Sequence, residues 1–372
     1  MPRWTIDCLD NRLGDLTPQG RLGRKEDVLI RFGGKSKLAI VGVTGALAAG
    51  ATVAVATVGS ASANGDRASV SGFVQVIQPG VHPYVAAGNK GILRESKKLG
   101  VKVQITQSEF TPAKEIANIQ NAIAKGAKAI VIQPASSEGV VPNIEEAVSK
   151  GICVVALAVN VGPSKYVDKV YPGLKGFVGL NEYQSGQEMG ASLAKAMGGK
   201  GNVVVIQGIL PSTAAGGRER GARAYWKAHN PGIHVLASQQ AYYDAEKART
   251  LMQNYLQRYG AKINAVLSIT NNMAVAAADV IAASPYKGKI AISSTGGEKQ
   301  FIDYIKQGKA TSTVVEIPTD EGGKAFDLAV DCLKGNKKPV FFNTNNLPAA
   351  AVLKSQGYVV NKANVGKFTP QW

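Results

Sequence analysis

The alternation of short apolar runs with amphipathic stretches constrains this chain more than any other feature. Val74 to Ile77, Val101 to Ile105, Ala129 to Ile132 and Cys153 to Ala158 are too short for helices and rich in β-branched or small apolar residues. Helical patterns separate them. The first, about Val85 to Leu99, ends in Lys97-Lys98-Leu99-Gly100, basic residues followed by a glycine. The second, Pro112 to Lys125, sets Ile116, Ile119, Ala122 and Ile123 on one face and closes at Gly126. The third runs from Val140 to Lys150. Central strands that are apolar throughout predict a parallel sheet covered on both faces.

The rhythm restarts after a loop rich in Gly, Pro, Lys and Tyr at 162–176. Helices are predicted at Gln184 to Met197, Arg218 to Asn230, Ala245 to Tyr259, Met273 to Ala283, Gln300 to Gln307 and Gly323 to Leu333. Strands are predicted at Val203 to Gln207, Val235 to Ser238, Ala265 to Ser268, Ile290 to Ser293 and Ser312 to Glu316. At 372 residues the chain has room for two α/β lobes, each a three-layer unit with a parallel sheet. Ligands of such sheets sit beyond the carboxyl ends of the strands, so the loops after each strand hold the candidate site residues.

The first 63 residues read differently. Leu38 to Val58 carries no charge, Lys35 and Lys37 precede it, and Ala61-Ser62-Ala63 follows. A basic region, an apolar region and a small-residue site predict a secretory signal cleaved after Ala63. An uncleaved N-terminal anchor is the rival, since the stretch is long enough to span a bilayer. The polar residues 1–26 suggest that translation starts near Val28. No cysteine stands directly after the apolar region, so a lipid-anchored N-terminus is not indicated. Of the three cysteines, Cys153 and Cys332 lie beyond this segment, and both are expected as buried free thiols, with one disulfide in an oxidising compartment as the lesser alternative.

The net charge of +17 raises the question of nucleic acid. The basic residues are mostly single lysines on polar helix faces, without a run of five, which fits a Lys-rich surface better than a nucleic-acid footprint. Enzyme signatures are missing from the sequence: no H-E-x-x-H, paired C-x-x-C, G-x-S-x-G or Walker A pattern occurs. His229 and His234 flank a helix-to-strand turn, and only His82, just after the first strand, is a site candidate. Gly216-Gly217-x-x-x-Gly221 reads as a tight turn before a helix.

Several segments, taken together, carry a resemblance. Thr111-Pro112-Ala113-Lys114-Glu115-Ile116-Ala117-Asn118-Ile119-Gln120, Gly126-Ala127-Lys128-Ala129-Ile130 and Gln133-Pro134 resemble the first lobe of periplasmic sugar-binding proteins of the ribose type. Gln207-Gly208, Arg218-Glu219-Arg220-Gly221, Met252-Gln253-Asn254 and Val315-Glu316-Ile317-Pro318 continue the match in the family's order over nearly all of 70–372. Val360 to Gly366 is similar to the tails of members that bind rhamnose, polyols or autoinducer-2. The resemblance implies a type I periplasmic binding fold, two lobes joined by a three-strand hinge, with crossings near Gly179, Ile317 and Asn345. The N-terminal lobe would then be 68–179 plus 317–345, and the C-terminal lobe 180–316 plus 346–372. It also implies a monomer without cofactor, metal or catalysis, exported to the periplasm or cell exterior, which hands a small sugar, polyol or related solute to an ABC transporter permease. An exported sensor or chemoreceptor ligand-binding protein is the alternative. A transcriptional repressor on the same fold is disfavoured, because residues 38–63 are apolar where a DNA-reading helix would be needed.

The family's binding positions transfer one at a time. Its turn after the first strand reads His82-Pro83-Tyr84-Val85 here, with Tyr84 able to stack on a solute face and His82 able to hydrogen-bond. Arg218 keeps the second-lobe arginine, a fork donor for hydroxyls or a carboxylate. Tyr243 keeps the aromatic residue after the next strand, and Glu316 takes the last crossing position. Elsewhere the pattern changes. The Asp-Arg pair after the third strand is Ala158-Val159 here, followed by Asn160. The second-lobe Asn is Thr270, followed by Asn271, and the second-lobe Asp is Thr295. Losing two aspartates removes strong acceptors for hydroxyls, which points away from a common pyranose and toward a small polyol, an unusual or deoxy sugar, or a weakly acidic solute.

Overall fold

The computed structural model describes residues 72–344 and 358–372. The signal segment, the suggested translation start and the crossing near Asn345 lie outside them. Each lobe is built on one six-stranded sheet. The first contains β1 (Phe73–Gln78), β2 (Lys102–Gln107), β3 (Ala129–Ile132), β4 (Cys153–Leu157), β5 (Gly176–Gly179) and β11 (Val340–Asn343), in the order β11-β5-β4-β3-β1-β2. The second contains β6 (Lys200–Gln207), β7 (Gly232–Gln240), β8 (Ala265–Ser268), β9 (Ala291–Gly296), β10 (Ser312–Val315) and β12 (Val359–Asn361), in the order β12-β10-β9-β8-β6-β7. Only β12 runs antiparallel, against β10. The strands β3, β4 and β8 are buried at every position, as their apolar runs require, and so is β10, Ser312 and Thr313 included.

The helices are α1 (Pro83–Leu99), α2 (Pro112–Ala124), α3 (Val141–Ser149), α4 (Glu182–Ala196), α5 (Thr213–His229), α6 (Ala245–Tyr259), α7 (Asn271–Ala282), α8 (Lys299–Lys306) and α9 (Pro318–Leu333). Their ends follow local chemistry. The Nδ1 of His82 caps α1 by accepting the Tyr84 N–H at 3.2 Å, and Gly100 closes the helix in the left-handed region. Asn181, Ser212 and Asp244 cap α4, α5 and α6 through side-chain oxygens. Helix α9 starts five residues before the sequence-based expectation, because Pro318 takes its first turn, where a missing N–H costs nothing. The short strands β5, β11 and β12 were not among the expected strands.

The path of the chain between the two sheets follows from the element order. The chain leaves the first sheet at Gly179 and enters the second lobe through α4. After β10 it returns through α9, which packs on α1, β4 and β5. The contact of α1 with α9 is close because Gly91 has no side chain: a Cβ there would collide with the Thr319 carbonyl oxygen. Gly221 does the same for α5 against Tyr183 on α4.

One expectation is corrected. Cys153 and Cys332 form a disulfide, with Cα atoms 6.2 Å apart, inside the normal range for such a bond. They lie 179 positions apart in the sequence, and only the packing of α9 on β4 shows that they meet. Among the described residues, no helix is long and apolar enough to cross a membrane.

Candidate functional site

The loops beyond the carboxyl ends of both sheets line a cavity of about 70 Å³, room for roughly five water molecules. The first lobe supplies His82 and Tyr84 after β1, Phe110 after β2, Gln133 to Ala135 after β3, and Ala158 and Val159 after β4. The second supplies Ala214 and Arg218 on α5, Tyr243 after β7 and Thr270 after β8, with Glu316 at the second crossing. Trp372 also lines it. Phe110, Ala158 and Tyr243 adopt positive φ, uncommon for residues with side chains. Such backbone is held only where its surroundings over-determine it, and it clusters at ligand clamps.

Arg218 organises the second-lobe wall. Its Nε and Nη2 donate to the Glu182 carboxylate at 2.6 and 2.8 Å, Nη2 also donates to Glu316 at 2.7 Å, and Nη1 donates to the Ile269 carbonyl at 2.9 Å. Four of its five N–H groups are thus committed to protein, and one on Nη1 is left for a solute. Burial works against the charge, but Glu182 and Glu316 outweigh it and raise the Arg218 pKa. One guanidinium faces two carboxylates, so this wall offers no net positive charge to an anion.

On the other side, the Tyr84 hydroxyl donates to Glu321 on α9. Burial, with Glu316 nearby, pushes the Glu321 carboxyl up to about 8. Burial and the Glu321 charge push the Tyr84 phenol well above its usual value. Burial also raises Tyr243, against the pull of Arg218, and lowers His82, partly offset by Asn272. The turn Gln133 to Ala135 is pinned from below, where the Ala135 N–H donates to Glu115 Oε1 at 2.8 Å.

The lobes touch beside the cavity. Thr213 bonds to Ser137 and to the backbone of Asn160, and the Phe110 and Tyr243 rings lie 6.3 Å apart. Among the described residues, no group of three or more His, Cys, Asp or Glu could hold a metal ion.

A family model for the periplasmic binding protein domain matches residues 73–337. The chain belongs to this family. Among curated periplasmic binding proteins, it is 28% identical to the ribose import binding protein of Salmonella typhimurium over 77% of this chain and 93% of the relative. It is 26% identical to the xylitol-binding protein of Mycolicibacterium smegmatis over 81% of each. Among solved structures, a periplasmic solute-binding protein of an ABC transporter from Actinobacillus succinogenes, with bound D-allose, superposes with a TM-score of 0.69. It is 24% identical and matched over 80% of this chain and 100% of its own. The Caulobacter myo-inositol binding protein gives the same TM-score at 23% identity, over 80% of this chain and 95% of its own.

In this periplasmic binding protein, six of the nine candidate residues meet at the cavity: His82, Tyr84, Arg218, Tyr243, Thr270 and Glu316. The other three are engaged elsewhere. Asn160 donates from Nδ2 to the Tyr166 and Lys169 carbonyls at 2.6 and 2.7 Å, shaping its own loop. Asn271 accepts the Gly297 and Glu298 N–H groups and donates to Thr313. Thr295 is buried against the sulfur of Met189 on α4. Arg218 lines the cavity, but its fork grips Glu182 instead of standing free for a ligand carboxylate. The sequence reading missed Glu182, Phe110 and Trp372 as site residues. Position after a strand could have found Phe110; nothing local announces the other two.

Proposed function

We propose that this chain is an exported solute-binding protein that holds a small neutral sugar or polyol between its two lobes and delivers it to an ABC transporter permease. The observation that carries the reading is the cavity with walls from both lobes and a guanidinium already balanced by two carboxylates. Its size suits a compact solute. Its charge disfavours an acidic one, because an added anion would face Glu182 and Glu316 in a site with little water to screen them. The ribose and xylitol proteins among its relatives support this class. On this reading the lobes divide at Gly179, Ile317 and Asn345 and hinge there, the protein acts as a monomer without catalysis, and residues 1–63 direct export.

A thermal-shift panel of D-ribose, D-allose, xylitol, myo-inositol and succinate tests the proposal. A solute at 100 times its dissociation constant adds about 2.7 kcal/mol to stability, a visible rise in melting temperature. At least one neutral solute should produce it. A rise with succinate and none with the four neutral solutes would overturn the reading.

A further inference from the structure

The chain's last residues reach the cavity by a bridge between the lobes. The Gln371 side chain accepts the Thr319 N–H at 3.0 Å and donates to Asp320 at 2.8 Å, both on α9. One residue on, the Trp372 carbonyl accepts the Lys299 N–H at 2.8 Å, at the start of α8 in the other lobe. The Trp372 indole is thereby set against two residues of the first-lobe wall. Its ring centroid is 5.7 Å from that of Tyr84, edge to face, and 5.9 Å from that of His82.

Two polar atoms in this cluster have no partner among the described residues: His82 Nε2 and Trp372 Nε1, both shut off from solvent. Such atoms are rare in native proteins, because each forfeits its hydrogen bond to water without replacement. The protonation of His82 follows from its cap. Nδ1 accepts the Tyr84 N–H, so it carries a lone pair, and a neutral ring must hold its proton on Nε2. Asn272 lies near His82, donates to the Tyr243 carbonyl and accepts from the Thr270 hydroxyl, and it makes no hydrogen bond of normal geometry to Nε2. The indole can only donate. Two N–H donors therefore belong to rings whose centroids lie 5.9 Å apart, on two residues that line the cavity with Arg218.

We propose that His82 Nε2–H and Trp372 Nε1–H form a donor pair that holds neighbouring oxygen atoms of the bound solute from the first-lobe side, while the remaining N–H of Arg218 holds it from the second. This rests on the solute-binding reading above and deepens it: the pair selects a neutral molecule with adjacent acceptor oxygens, and the C-terminal tail becomes part of the recognition surface.

The test uses the purified, ¹⁵N-labelled full chain. At pH 7 the His82 ring, identified by its loss in His82→Asn, should show the Nε2–H tautomer; an Nδ1–H tautomer or an imidazolium overturns the assignment. Asparagine keeps an acceptor for the Tyr84 N–H, so the helix cap is retained. Titration with D-ribose, D-allose, xylitol and myo-inositol should move the indole N–H signal that Trp372→Phe deletes. Trp372→Phe and His82→Asn should each weaken the responding solute roughly tenfold, with little change in melting temperature. Binding with an unmoved indole signal and unchanged affinity in both variants overturns the donor pair and leaves the solute reading standing. No binding by any of the four overturns that reading, and this assignment with it.

Discussion

Ser137, in the turn after β3, accepts the backbone N–H of Thr213 on α5 at 2.9 Å, and the two hydroxyls lie 3.2 Å apart. The pair joins the lobes beside the cavity. Thr213 Oγ1 also accepts the Asn160 N–H at 3.1 Å. These buried bonds exist only while the lobes are together, so they favour the closed arrangement. Thr213→Val and Ser137→Ala should therefore each weaken solute affinity about 3- to 10-fold. Calorimetry with the solute identified by the thermal-shift panel checks this. Unchanged affinity in both variants would show that the bonds carry none of the closure.

Arg218 sits between two buried carboxylates, so removing it does more than delete a solute contact. Arg218→Ala leaves Glu182 and Glu316 without their counter-charge and should destabilise the protein by about 3–5 kcal/mol. Urea unfolding measures the loss. The double variant Arg218→Met/Glu182→Leu should regain part of it, because the unpaired charge on Glu182 is gone.

Glu115 gives stability a pH dependence of a definite sign. Burial raises its carboxyl from 4.5 to about 7, so the folded protein holds this proton where the unfolded chain has released it. Stability should therefore fall as pH rises from about 4.5 to 7, by up to ~1.4 kcal/mol per pH unit from this group, and level off above. Glu115→Gln keeps an acceptor for the Ala135 N–H and has no proton to lose. Its stability should depend less steeply on pH across that window. Denaturation series at pH 5, 6, 7 and 8 compare the two, and equal slopes would refute the assignment.

The helix contacts at Gly91 and Gly221 leave no room for a methyl group. Gly91→Ala and Gly221→Ala should each cost about 1–3 kcal/mol by forcing α1 from α9 and α5 from α4. Gly100→Ala offers a contrast: nothing lies within 4 Å of a Cβ there, but its φ of +67° is strained for alanine. Its loss should come from the backbone alone, near 1 kcal/mol.

How much of this was legible in the sequence depends on what each residue's role required. The apolar runs of β3, β4 and β8 announce themselves because a strand buried on both faces admits little else. The 15 residues of α6 fall at the expected bounds because Asp244 caps one end and Gly260 the other. Strands β11 and β12, four and three residues long, are held by sheet neighbours more than by any pattern of their own. At the site, His82, Tyr84, Tyr243 and Glu316 follow strands or begin helices, where the topology sends side chains into the cleft, and Arg218 lies in the second turn of α5. Asn160, Asn271 and Thr295 occupy similar positions, but a short polar side chain bonds to backbone or sulfur as readily as it faces a solute. Trp372 is invisible from sequence because its place depends on where α8 and α9 bring the tail.

The Cys153–Cys332 bond makes the first lobe the clasp of a covalent circle, and the whole stretch from β6 to β10 lies on its circumference. A protease that cuts any surface loop between β6 and β10 severs the backbone without freeing a fragment. The nicked protein would keep its mass and run as one species until a reductant opens the clasp.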